Sequence, residues 1–173
     1  MASTTVIHAS PTLEVARIES APFGQHTYVV RRPGMPDCVV VDPGFEPDAI
    51  AAWLEAHRLE PRAILLTHGH SDHIAGNAAL KRRWPDLPIL VGHRDAAKLG
   101  DPAANLSAPF GLSLTSPPAD RLLDDGERLL VAGLEMLVHE IPGHSLGHVV
   151  FVLTEESPPV VLGGDVLFRE GVG

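Results

Sequence analysis

The chain has 173 residues, 45% of them apolar and 20% charged, with 13 Lys and Arg against 22 Asp and Glu for a formal charge of −9. That length and composition amount to one domain able to bury a core, taken as residues 1–173, and exclude disorder as the default state. The acidic balance, with no cluster of Lys and Arg, disfavours nucleic acid or an anionic membrane surface as a partner, because holding phosphates needs grouped positive charge. The single cysteine, in Cys38-Val-Val-Val41, leaves no intrachain disulfide and reads as a small buried hydrophobe, not a nucleophile. The N-terminus has neither a basic start nor a sustained apolar run. No window approaches the ~18 uninterrupted apolar residues of a membrane span, so a soluble cytoplasmic protein is expected.

In chain order, the predicted elements are short. Residues 13–19 and 27–30 are strands, Pro33-Gly34 closes the second, and 38–41 is a third that turns at Asp42-Pro43-Gly44. Pro47 suits a helix's first turn, and Ile50, Trp53, Leu54 and His57 follow at helical spacing, which predicts a helix over 47–57. Residues 63–66 form a continuous apolar run, as in a strand buried on both faces; 74–83 is helical and carries Lys81, Arg82 and Arg83 near its end. A strand at 89–91 and a short helix near 95–99 follow. Residues 101–120, with four prolines, read as a long connecting or substrate-side loop in which Asn105 and Ser107 are candidate substrate contacts. The remainder is strands at 129–131, 134–140, 149–153 and 160–162.

Four of these strands end at once in a turn bearing a metal-type ligand: Asp42, the run from His68, His144 and Asp165. Such ends can converge on one rim. The central signal is Thr67-His68-Gly69-His70-Ser71-Asp72-His73. Three imidazoles and a carboxylate in six residues cannot all point one way from a regular strand or helix, but a glycine-relieved loop can turn them toward neighbouring ions. The mixture suits Zn²⁺, with Fe or Mn also admissible. The second signal is Pro142-Gly143-His144-Ser145-Leu146-Gly147-His148. Five of the ten histidines fall in these two windows, where an even scatter would place fewer than one.

The other assignments follow from local setting. Asp165, after Gly163-Gly164, is either a turn aspartate or a carboxylate bridging two cations, and the bridge is preferred. Asp42 is expected to orient a ligand histidine and His148 to support the site from behind. His8, His26, His57, His93 and His139 lack such a setting and count as surface or packing residues.

The ordered set His68-x-His70-x-Asp72-His73, Pro142-Gly143-His144 and Gly164-Asp165-Val-Leu-Phe168, with Val41-Asp42-Pro43-Gly44 upstream, resembles the metallo-β-lactamase superfamily, and within it the glyoxalase II-like (hydroxyacylglutathione hydrolase-like) hydrolases. The resemblance implies an α/β fold, an αββα sandwich with metals at one edge of two sheets. It also implies that His68, His70 and His144 bind a first ion, Asp72 and His73 a second, and that Asp165 bridges them. The final histidine that relatives give to the second ion has no counterpart before Gly173. Nor has the last strand and helix of the sandwich, so the chain is expected to be C-terminally incomplete, with a sheet edge and an apolar face uncovered.

The activity implied is hydrolysis of a small-molecule acyl substrate, a thioester or related ester, by a metal-bound hydroxide that Asp72 helps to position. A thiolate, with a free pKa of ~8.5, leaves without a strong general acid. The alternatives are a mononuclear Fe(II) persulfide dioxygenase holding its ion with His68, His144 and Asp165, a lactonase, and a non-catalytic metal-binding fragment.

Overall fold

Alternation of side chains along short apolar strands sets the architecture. Successive strand residues point to opposite faces, and in β4 (Asp37–Val41), β5 (Glu60–Leu66) and β6 (Ile89–Gly92) both faces are apolar. Val39, Val41, Ala63, Leu65 and Leu90 enter one core cluster. Cys38, Val40, Ile64, Leu66, Ile89 and Val91 enter a second on the other side. Such strands must be covered twice, the usual condition of parallel strands.

The computed structural model describes residues 3–173 and places these strands in a seven-stranded sheet ordered β1 to β7. β1 (Thr4–Ala9), β2 (Glu14–Ser20), β3 (Gln25–Arg31) and β4 pair antiparallel; β4, β5, β6 and β7 (Arg121–Leu123) pair parallel. A second, antiparallel sheet runs β11 (Val160–Leu162), β10 (Val149–Leu153), β9 (Leu134–Glu140), β8 (Arg128–Val131). Leu129, Leu134, Met136, Val138 and Phe151 of this sheet pack against the first to form the inter-sheet core. On the outer side of the first sheet, Ile50 and Leu54 of α1 (Pro47–Ala56) and Leu80 of α3 (Asn77–Arg83) complete the second cluster.

The result is the mixed α/β sandwich expected from the sequence. Among the described residues helices cover the first sheet only, and the far face of the second exposes Leu130 (72%) and Val161 (53%). A small hairpin, β12 (Leu167–Phe168) with β13 (Gly171–Val172), stands after Asp165. Among the described residues no helix is long and apolar enough to cross a membrane.

Several elements depart from the predicted pattern, the β12–β13 hairpin among them. β1 is an edge strand whose residues are mostly exposed, so it lacks the alternation that marks a half-buried strand; pairing with β2 creates it. β7, three residues long, is likewise defined by its partner β6. The helix expected over 74–83 begins three residues late, as α3, and a separate helical turn, α2 (Ser71–Ile74), takes Asp72 and His73 from the stretch expected as loop; between the two, Gly76 donates to the Pro43 carbonyl at 2.8 Å, and a Cβ there would lie 2.9 Å from the Gly44 carbonyl oxygen. The helix near 95–99 is a 3-10 segment, His93–Gly100.

Candidate metal centre

Because β4, β5 and β6 are parallel, their C-terminal ends share one edge of the sandwich, and that edge receives Asp42, the 67–70 loop and Asp95. From the second sheet, residues 142–148 between β9 and β10 and the turn after β11 arrive at the same edge. Val149 donates to the Thr67 carbonyl at 2.8 Å, which stitches the two sheets together beside the histidines.

Two overlapping groups of donor atoms result. Nitrogens of His68, His70 and His144 lie within 4.8 Å of one another, and so do the donor atoms of His68, His73 and Asp165. His70 Nδ1 is 3.1 Å from His68 Nε2 and 3.0 Å from His144 Nε2. Asp165 joins them, with Oδ1 3.3 Å from His73 Nε2 and Oδ2 3.5 Å from His144 Nε2. Asp72 stands at the rim, its Oδ2 3.7 Å from His73 Nε2. His73 Nε2 is buried without a hydrogen-bond partner and faces two carboxylates. An imidazole and carboxylate set of this kind, with a buried nitrogen left unpaired, fits a borderline divalent cation.

The supports behind these rings are buried and densely bonded. Asp42, with φ +50, holds a left-handed conformation uncommon outside glycine, and its carboxylate accepts from Thr67 N at 2.7 Å and Thr67 Oγ1 at 2.6 Å while lying 3.0 Å from His73 Nδ1. Its own carbonyl accepts from Gln25 Nε2 and Thr27 Oγ1. His148, fully buried, stacks on His68 with ring centroids 4.8 Å apart and accepts from the Asp165 amide at 3.2 Å. Thr67 Oγ1 lies 3.0 Å from His68 Nδ1, which leaves Nε2 turned toward the cluster.

Burial and crowding set the protonation. The His68 ring is driven far below its usual pKa by burial and by four neighbouring histidines. Burial, the Lys98 charge and the His144 and His73 rings lower His70 to about 4. Both are unprotonated near neutrality, the form that ligates. For His73 burial opposes the charged ring, but the Asp42, Asp165 and Asp72 carboxylates prevail and raise it to about 10. Burial raises Asp72; Asp165 is lowered, because the adjacent His73 ring and the nearby His144 and His148 rings outweigh its burial.

The structure thus brings His68, His70, His73, His144 and Asp165 together, with Asp72 at the edge and Asp42 and His148 behind. Two expectations change. Asn105 and Ser107 are fully buried and occupied by their own loop: Asn105 Nδ2 donates to the Lys98 and Leu114 carbonyls, and its Oδ1 accepts from Ser107 N. They shape the loop and do not face a substrate. The loop itself does reach the site, since the Asn105 carbonyl accepts from Ser71 N at 2.8 Å and Phe110 packs edge-on against Phe23. His26, counted from the sequence as a surface or packing residue, instead lines a cavity of ≈ 350 Å³ beside His73, Asp72 and Asp165, together with Phe23 and Tyr28. Cys38 is buried, which pushes its thiol up to about 12.

Asp95 lies outside the sequence motifs. It is fully buried, and it bonds to both histidine loops. Its signal was the strand-end rule itself: β6 ends, and an acid follows within a turn, as after β4 and β11.

A family profile described as the metallo-beta-lactamase superfamily matches residues 21–173. Hydroxyacylglutathione hydrolase from Yersinia pestis is 36% identical over 136 residues, which are 79% of this chain and 45% of that protein. The chain therefore spans about half the length of that relative. Among solved structures, BLEG-1, a B3 metallo-beta-lactamase, superposes with a TM-score of 0.85 at 34% identity over 91% of this chain and 74% of its own. TTHA1623 in a di-iron-bound form superposes with a TM-score of 0.76 at 36% identity, over 91% and 75%.

Proposed function

The chain belongs to the metallo-β-lactamase superfamily, and on that premise we propose that it is a metal-dependent hydrolase of a thioester or related acyl ester, with His68, His70 and His144 as one set of ligands and His73, Asp72 and Asp165 as the second. The observation that carries the reading is the convergence of three imidazole nitrogens, those of His68, His70 and His144, from two separate loops to within 4.8 Å of one another, with Asp165 between the two sets. A divalent cation bound there supplies Lewis-acid activation of water and of the acyl carbonyl.

The chain's own residues do the rest. Asp165 spans the two sets, since its two oxygens face His73 and His144 separately. Asp72, at the rim and partly exposed, is placed to accept from a water entering beside His73. Asp42 lies 3.0 Å from His73 Nδ1, a contact that would leave Nε2 for an ion. The cavity walled by Phe23, His26 and Tyr28 opens on this side and is sized for a small acyl substrate. The choice of a thioester rests on the likeness to hydroxyacylglutathione hydrolase, and zinc on the imidazole-rich donor set.

A second reading has a specific basis. It takes His68, His144 and Asp165 as the two-histidine, one-carboxylate ligands of a single Fe(II) in oxygen chemistry, on the basis that His144 Nε2 lies 3.5 Å from Asp165 Oδ2. Metal analysis with paired assays separates the two. Two equivalents of zinc with thioester turnover are expected; one equivalent of iron with oxygen uptake on a persulfide would replace the hydrolase reading with a dioxygenase.

A further inference from the structure

The 67–70 loop and the 142–148 loop come from different sheets, and one buried side chain reaches both. Asp95 Oδ2 accepts from the Gly69 amide at 2.9 Å and Oδ1 from the Gly147 amide at 2.9 Å. Ser145 Oγ lies 2.7 and 2.5 Å from the two oxygens, and Lys98 Nζ lies 3.2 Å from Oδ2 while also bonding Ser145. Two of these donors sit beside candidate ligands, Gly69 between His68 and His70 and Ser145 directly after His144, while Gly147 precedes the supporting His148.

The backbone packs as tightly as it bonds. A Cβ on Gly69 would lie 2.8 Å from Lys98 Cβ, and one on Gly147 would lie 2.6 Å from the Asp95 amide nitrogen. Both loops therefore press their glycines against the same 3-10 segment. A fully buried carboxylate loses its hydration and is destabilising unless its lone pairs are filled, and here they are filled by the two loops and one lysine.

We propose that Asp95 is a positioning residue for the first metal site: by tying the loop of His68 and His70 to the loop of His144, it sets the spacing of those three rings before an ion arrives. The inference rests on the metal reading above and says what holds that site in register. Partners that orient ligands from outside commonly change metal affinity 10- to 100-fold when removed.

The test uses the full chain, stripped of metal by chelator and titrated with Co²⁺ against a competing chelator, with the visible Co²⁺ spectrum recorded. Asp95→Asn keeps the size but turns an amide NH₂ toward one of the loop donors; its affinity for the first Co²⁺ is expected to fall about 10- to 100-fold, with an altered spectrum. Ser145→Ala removes one link and serves if Asp95→Asn does not fold; a loss of at least threefold is expected. Asp120→Asn is the control, since Asp120 accepts from Ile89 N at 2.8 Å at the opposite end of β6. It is expected to lower the melting temperature without changing the Co²⁺ affinity or spectrum. Native affinity and spectrum in both Asp95→Asn and Ser145→Ala, or in Ser145→Ala alone where Asp95→Asn does not fold, would overturn the inference and leave the metal reading intact. A parent protein that binds neither Co²⁺ nor Zn²⁺ would instead overturn the metal reading itself, and this inference with it.

Discussion

His70 Nδ1 and His144 Nε2 stand 3.0 Å apart although 74 residues separate them in the chain. Two nitrogens bound at ~2.0–2.1 Å to one tetrahedral zinc are ~3.3 Å from each other, so the two loops hold these rings within a few tenths of an ångström of the spacing an ion requires. Little rearrangement is left for the ion to drive.

Removing a ring from this set is therefore expected to remove metal directly. His68→Ala and His144→Ala should lose both bound zinc and thioester turnover, whereas His148→Ala should keep most of its metal, because His148 acts on Asp165 through the amide it accepts from. Metal content after gel filtration, measured alongside turnover, checks this. A His148→Ala protein as empty as His144→Ala would reassign His148 to the ligands.

Asp42 links the site to the fold. Asp42→Ala leaves the buried Thr67 N–H and hydroxyl without their acceptors, at about 1–3 kcal/mol each, and keeps a left-handed backbone that costs an alanine roughly 1–2 kcal/mol. Asp42→Asn tolerates that backbone and keeps an acceptor, so urea unfolding should show a markedly smaller loss for Asn than for Ala. Both should weaken metal binding at His73, whose Nδ1 loses its anionic partner. Equal stability of the two variants would show that the Thr67 bonds contribute little.

How far the sequence disclosed this site depends on what each residue needed. His68, His70, His73 and His144 stand out by clustering beside glycines at strand ends, whereas Asp165 also reads as a turn aspartate until the fold brings it to the same rim. The apolar runs of β4, β5 and β6 disclose doubly covered strands, because no exposed strand is apolar at every position. His26 gave no such sign, and Asp95 only the faint one of an acid soon after a strand end, since their roles arise from loops and strands distant in the chain that meet only once the sheets stack. β1 and β7 exist only through their neighbours' hydrogen bonds. Between α2 and α3, Gly76 touches the 43–44 turn, a contact invisible to helical periodicity.

Protonation gives the metal-free protein a stability maximum. Between pH 6.5 and about 4 the unfolded chain takes up a proton at His70 that the folded chain refuses, and His68, held lower still, acts the same way. Stability thus falls as pH falls through that window, with a limiting slope of about 1.4 kcal/mol per pH unit for each proton. His73 works in the opposite sense. Its pKa is raised to about 10 by the three carboxylates, so the folded chain keeps a proton that the unfolded chain releases above 6.5, and that stabilisation is lost as pH rises toward 10. Urea midpoints in chelator should peak near pH 6.5, and added zinc should flatten the alkaline limb by taking the proton's place. A midpoint that climbs steadily from pH 6 to 9 in chelator would contradict the assignment of His73.

The turn that carries Asp165 offers the sharpest contrast between neighbours. Gly164 has φ +49, and a Cβ there would sit 2.4 Å from Thr67 Oγ1 and 2.8 Å from His148 Nε2. Gly163, one residue earlier, has φ −96 and nothing within 4 Å of its Cβ position. Gly164→Ala must push the turn outward, which draws Asp165 away from His73 and breaks the bond from its amide to His148; backbone strain adds about 1–3 kcal/mol. Gly163→Ala should be close to neutral in both respects. Zinc titration of the pair is expected to show at least tenfold weaker binding at the Asp165 side for Gly164→Ala alone, with stability falling in the same variant. Indistinguishable metal affinities would mean that the turn can relax without moving the carboxylate, and that the close approach of Gly164 to Thr67 does not set the position of Asp165.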